Sequence, residues 1–138
     1  MSVRVLIVDD QAPFRDAARA VTEATDGFVV VGESETGEAS VEAARDLKPD
    51  LVLMDVNLPG INGLDATRRI LKDSNGVVVV LLLSTYEEEE YASKAAECGA
   101  RAYIAKARFD PDRLAAAWGG ATGIDPVSSV PAPGELST

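Results

Sequence analysis

The stretch VRVLIVDD, Val3 to Asp10, decides how the rest of the chain is read. A β-branched and aliphatic run stops abruptly at two acids, Asp9 and Asp10. Such residues favour extended backbone, and a run without polar alternation suits a strand covered on both faces. The pattern then returns with a different polar ending each time. DLVLMD ends in Asp55, VVVVLLLST ends in Ser84 and Thr85, and RAYIAK ends in Lys106. In an open parallel sheet the carboxyl ends of the strands line one crevice, where ligands bind. The order of residues therefore gathers three carboxylates, a hydroxyl and an ammonium into one pocket.

Helical spacing separates these runs. Phe14, Ala17, Ala18 and Val21 follow the first at one helix face, with Pro13 in the first turn. Residues 28–31 read as a second strand. Ala39, Ala43, Ala44 and Leu47 give a second helix, stopped by Pro49. Residues 51–54 form a buried strand, followed by the turn Leu58-Pro59-Gly60. Leu64, Thr67, Arg68 and Leu71 mark a third helix with a narrow apolar seam. The spacing predicts a fourth strand over 77–83, a fourth helix over 87–98, a fifth strand over 102–105 and a short last helix over 112–118. Five βα units of this kind make an α/β domain, a parallel sheet with helices on both faces. Residues 119–138 are rich in Gly, Pro, Ser and Thr. They read as a flexible tail or linker beyond a domain of residues 1–118.

Composition narrows the function. The net charge is −10, and residues 119–138 add Asp125 and Glu135 without a base. Nucleic-acid binding rests on basic contacts to phosphate, so direct contact with DNA or RNA is not expected. The longest wholly apolar run, residues 77–83, is far short of the roughly 20 residues that cross a bilayer. With no secretion signal, a cytoplasmic location without a membrane span is expected. The single cysteine, Cys98, has no partner for an internal disulfide and reads as a small buried hydrophobe. Histidine is absent. That excludes a Ser-His-Asp triad, a His-ligated zinc and a phosphohistidine carrier, so any donor histidine belongs to another protein.

The acids carry the chemistry. Clustered carboxylates repel one another and call for a cation. Magnesium prefers oxygen ligands and commonly takes one or two carboxylates together with a phosphate oxygen. Asp9 and Asp10 would hold it, and Asp55 would give one oxygen to the metal and the other to phosphorus. Carboxylate nucleophiles form aspartyl phosphates, a transfer governed by positioning and charge neutralisation. Lys106 would neutralise a phosphoryl oxygen as a point charge, and the Ser84 hydroxyl would donate to another. The bland alternatives are a helix cap for Asp9-Asp10 and a solvated Lys106. Capping accounts for neither the doubled acid nor Asp55. The acids at 87–90 suit the positive end of a helix and are not expected to be catalytic.

VDDQAPFR, GESETGEAS, PDLVLMDVNLPGINGLDATRRI, LLLSTY and CGARAYIAK together resemble a response regulator receiver domain of two-component signalling, over about residues 3–118. The resemblance implies a flavodoxin-like, doubly wound five-stranded parallel sheet in the order 2-1-3-4-5. It implies Asp55 as phosphoacceptor, magnesium on Asp9, Asp10, Asp55 and the Asn57 backbone carbonyl, and Lys106 as the pocket lysine. Ser84 takes the place of the switch hydroxyl and Tyr103 that of the rotating aromatic. A sensor histidine kinase would be the phosphodonor. The face of fourth helix, fifth strand and fifth helix would address an output domain or partner, and a homodimer on phosphorylation stays open. DATRRI and the GES/TGEAS region look most like receivers that precede a helix-turn-helix output domain.

Two departures stand out. Ala107 follows Lys106 where that family very often has proline, so a differently shaped loop is expected. Thr85 stands where a smaller residue is usual and is expected to crowd the pocket. The competing readings are a haloacid-dehalogenase-type phosphatase and a degenerate receiver used only for binding. The phosphatase pattern puts its nucleophile after the first strand with a second Asp two residues on, whereas here the acid pair comes first and Asn57 follows Asp55. A degenerate receiver would have lost key positions, and all are present. A signalling switch without small-molecule turnover is the expected function.

Overall fold

The computed structural model describes residues 2–85 and 88–121, with backbone only for residues 88–92, 120 and 121. The elements alternate: β1 Val3–Val8, α1 Ala12–Glu23, β2 Phe28–Ser34, α2 Gly37–Leu47, β3 Leu51–Asp55, α3 Gly63–Asp73, β4 Val79–Ser84, α4 Glu88–Cys98, β5 Ala102–Ala105 and α5 Pro111–Ala121. All strand pairs are parallel. The strand order is β2-β1-β3-β4-β5, as expected.

Alternation along each strand splits the core into two layers. Val5, Ile7, Leu51, Leu53, Leu81, Leu83 and Ile104 face Ala18 of α1 with Leu114 and Ala117 of α5. Leu6, Val8, Val52, Met54, Val80, Leu82 and Tyr103 face the other way, onto Val41 of α2, Ala66 and Ile70 of α3, and Ala95 and Cys98 of α4. Burial on both faces explains why these strands read as unbroken apolar runs.

The expected boundaries shift in informative places. β2 runs on to Ser34, because Gly32, Glu33 and Ser34 pair with Leu6, Ile7 and Val8 at the sheet edge without needing apolar side chains. β4 starts at Val79 rather than at 77, since the Val77 N–H closes a turn onto the Ser74 carbonyl and its side chain is 79% exposed. On α1, Ala17 is exposed and Thr22 is buried instead. The Thr22 hydroxyl donates to the Ala18 carbonyl at 2.8 Å, which lets a polar side chain join the core. On α3 the buried residues are Gly63, Ala66, Thr67 and Ile70, while Arg68 is exposed. α5 reaches Ala121, past the expected end at 118. The remainder of the expected tail, and Glu87 of the acidic run, lie outside the described residues.

Candidate functional site

The first, third and fifth strands deliver their terminal polar groups to one place. Asp9 and Lys106 lie one residue beyond β1 and β5, and Asp55 is the last residue of β3. Each continues the alternation that points Val5 and Ile7, Leu51 and Leu53, and Ala102 and Ile104 toward the α1/α5 layer. Asp9 and Asp55 are buried and Asp10 is exposed. One carboxylate oxygen from each of Asp9, Asp10 and Asp55 lies within 4.8 Å of the others. The Lys106 ammonium is 2.6 Å from Asp9 Oδ2 and 3.7 Å from Asp55 Oδ1.

Asp9 is fixed on every side. Its N–H donates to the Ser34 carbonyl at 3.0 Å, which ties the extension of β2 to the site. Its Oδ1 accepts the Gln11 N–H at 2.8 Å. Its carbonyl accepts Arg15 Nη1 at 2.8 Å. The α1 N-cap is Gln11, without a side-chain cap bond, so Asp9 serves the loop and the ammonium rather than capping the helix.

Asp55 is held by the loop that follows it. The Asn57 N–H donates to Asp55 Oδ1 at 3.3 Å, which puts the Asn57 backbone at the carboxylate. The Val56 N–H donates to the Leu83 carbonyl at 3.1 Å. Asn62 caps α3 by accepting the Asp65 N–H at 2.9 Å. Gly63, the first residue of α3, lies so close beneath β3 that a Cβ there would stand 2.1 Å from the Asp55 carbonyl oxygen. Only glycine allows that approach, which brings the start of α3 up to the strand end.

Burial among like charges shapes the electrostatics. The Asp55 carboxyl is pushed up from 3.8 to about 6, first by burial and then by Asp9, with Lys106 and the Asn57 N–H opposing the rise. Desolvation and a neighbouring carboxylate both disfavour the charged form. A divalent cation relieves this repulsion, and an all-oxygen donor set matches magnesium.

Ser84 and Tyr103 fall on the other parity. Ser84 ends β4, fully buried, and pairs with Ala105, the residue before Lys106. Tyr103 is 2% exposed and packs in the layer with Val80, Leu82 and Cys98. Thr85, one residue beyond β4, is exposed and continues the parity of Leu81 and Leu83 toward the α1/α5 layer. The loop after Lys106 is a 3-10 turn over Lys106–Arg108. No cis peptide bond occurs among the described residues.

Sequence reading missed three neighbours of the site. Arg15 joins the Asp9 carbonyl to Glu33 Oε1, 3.2 Å away. The Phe14 ring lies under the Lys106 ammonium, 4.3 Å from Nζ to the centroid. Phe109 lies beside Phe14, with ring centroids 6.5 Å apart. A base and an aromatic shortly after the acid pair were the available signal. Phe14 had been absorbed into the apolar seam of the helix.

Comparison with known proteins agrees with this architecture. The profile of the response regulator receiver domain matches residues 5–118. The chain is 41% identical over 104 residues to the response regulator GacA of Pseudomonas viridiflava, covering 75% of this chain and 48% of that one. It is 38% identical over 104 residues to the response regulator UvrY of Escherichia coli strain K12, covering 75% and 47%. It thus spans about half the length of these curated relatives. Among solved structures, a LuxR-family two-component response regulator from Aurantimonas sp. SI85-9A1 superposes with a TM-score of 0.81 at 30% identity, covering 99% of this chain and 94% of that one.

Proposed function

Since the chain belongs to the response regulator receiver family, we propose that it accepts a phosphoryl group on Asp55 and passes the change to an output domain or partner. The observation that carries this reading is the cluster of three carboxylates within 4.8 Å with the Lys106 ammonium between Asp9 and Asp55. An Asp55 oxygen attacks phosphorus, the new P–O bond forms, and the donor's bond to phosphorus breaks in line with it. The donor is the phosphohistidine of a sensor histidine kinase, because this chain has no histidine. The Lys106 ammonium shifts from Asp9 toward the phosphoryl oxygens and neutralises their charge, and the Ser84 hydroxyl donates to one of them. Asp9, Asp10, Asp55 and the Asn57 carbonyl would hold magnesium, which when bound would neutralise carboxylate and phosphoryl charge.

The consequence is a switch and not turnover of a metabolite. Inward movement of Ser84 leaves room that Tyr103 fills, which alters the face of α4, β5 and α5. Residues 122–138 link that face to an output domain, or a second copy binds there on phosphorylation. The chain acts in the cytoplasm. No helix among the described residues is long and apolar enough to cross a membrane. The −10 charge leaves duplex contact to the output domain.

Incubation with acetyl phosphate and magnesium tests the acceptor. A phosphate-affinity gel should show a shifted band that disappears in Asp55→Asn. Full labelling of Asp55→Asn would assign the phosphoryl group elsewhere.

A further inference from the structure

Lys106 faces a positioning problem. Its ammonium must stay beside Asp55 while Asp9, its nearest partner at 2.6 Å, is also a candidate metal ligand. A lysine stem has four rotatable bonds and its charge is a point, so ion pairs alone fix it poorly. The turn that carries it, Lys106–Arg108, is a short 3-10 segment with Ala107 and Arg108 exposed.

We infer that Phe14 is a positioning residue for Lys106, with Phe109 as its backing. The Phe14 ring centroid lies 4.3 Å from Nζ, well inside the distance at which a cation is drawn to a ring face. Phe109 stands three residues after Lys106, and its N–H donates to the Lys106 carbonyl at 3.3 Å. Its ring meets Phe14 at 6.5 Å and 45°. One turn therefore carries both the lysine and the ring that steadies the lysine's aromatic floor. Phe14 comes from α1, so the pair also closes the β5–α5 turn against that helix.

The ring acts differently from the carboxylates. Its attraction for the ammonium does not change when Asp9 turns to a metal or Asp55 gains a phosphoryl group. Phe14 thus keeps Lys106 at the pocket while its partner changes from Asp9 to a phosphoryl oxygen. This inference rests on Lys106 serving the phosphoryl group, as proposed above.

The full chain is the test material. Phe14→Leu keeps apolar bulk and removes the ring face, whereas Phe14→Trp keeps a face. In Phe14→Leu the rate of phosphorylation by acetyl phosphate should fall about fivefold, the factor expected for a partly buried cation–ring contact. Magnesium affinity should stay unchanged, and Phe14→Trp should restore most of the rate. In the wild-type protein the Lys106 side-chain NMR signals should be displaced upfield by the ring, and Phe14→Leu should abolish the displacement. Undisplaced signals in the wild type would overturn the inference without any variant. Equal rate losses in Leu and Trp variants would overturn it too, because volume alone would then matter. A full phosphorylation rate in Lys106→Met would instead refute the role given to the lysine.

Discussion

Two ion pairs of nearly equal length sit at opposite ends of the sheet. At the carboxyl end Lys106 Nζ is 2.6 Å from Asp9 Oδ2, with side chains 12% and 1% exposed. At the amino end, where α2 and α3 finish, Arg45 Nε is 2.8 Å from Asp73 Oδ2, with side chains 58% and 33% exposed. Distance hardly separates them, and burial does. A buried pair is held by the cost of leaving either charge alone, whereas an exposed pair is nearly matched by water. The carboxyl end stores unfavourable electrostatics that a ligand can relieve, and the amino end stores almost none.

The largest expected effect comes from breaking the buried pair. Lys106→Met leaves Asp9 and Asp55 facing each other without a cation. At pH 8 and without magnesium, urea unfolding should show a loss of about 3 kcal/mol, the low end for an orphaned buried charge because the lysine is slightly exposed. A loss under ~1 kcal/mol would place this pair with the surface ones.

Asp55 gives the next effect through pH. Its folded value, about 6, lies above the unfolded value near 3.8. The folded state therefore binds its proton more tightly than the unfolded state does. The related stability is fully present below the unfolded value and is lost as pH rises through about 6. Without magnesium, Asp55→Asn should become more stable relative to wild type between pH 4 and pH 8, by about 3 kcal/mol. A stability gap that stays constant with pH would remove the claim that burial and Asp9 strain this carboxylate.

The polar ends of the strands were legible in the sequence because each broke an apolar run at one residue. Asp9, Asp55 and Lys106 needed only the rule that the carboxyl ends of parallel strands line one crevice. Phe14 and Phe109 were not legible as neighbours of Lys106, because their meeting depends on how α1 packs against the β5–α5 turn. Arg15 was missed for a related reason: its contact with Asp9 is to a backbone carbonyl, which every residue carries. The apolar pattern also misplaced Ala17 and Thr22 on α1. A threonine hydroxyl satisfied by the carbonyl one turn back behaves as an apolar group, and a binary pattern does not register that. The β2 extension through Glu33 and Ser34 was hidden because an edge strand needs pairing more than burial.

Magnesium should reverse part of what the carboxyl end stores. At ten times its dissociation constant a ligand that binds only the folded state contributes about 1.4 kcal/mol. Thermal melts should therefore rise on adding magnesium to wild type and rise less in Asp10→Asn. Equal shifts in both proteins would mean that the ion acts on the general −10 charge rather than at the three carboxylates.

The smallest effect belongs to the amino end, and it tests the comparison most directly. Arg45 and Asp73 have the donor geometry of a good pair, so a count of short contacts would rank them beside Lys106 and Asp9. Their exposure says otherwise: each side chain already has water as an alternative partner, and holding both in register costs side-chain entropy. A double-mutant cycle with Arg45→Gln and Asp73→Asn should give a coupling of about 0.5 kcal/mol or less. Because the pair is open to solvent, that coupling should vanish near 1 M salt, where the screening length falls to roughly 3 Å. The same salt should leave much of the Lys106→Met loss in place, since ions do not enter between buried groups. A coupling above ~1 kcal/mol that survives salt would mean that the two ends of the sheet differ in shape but not in how they hold charge.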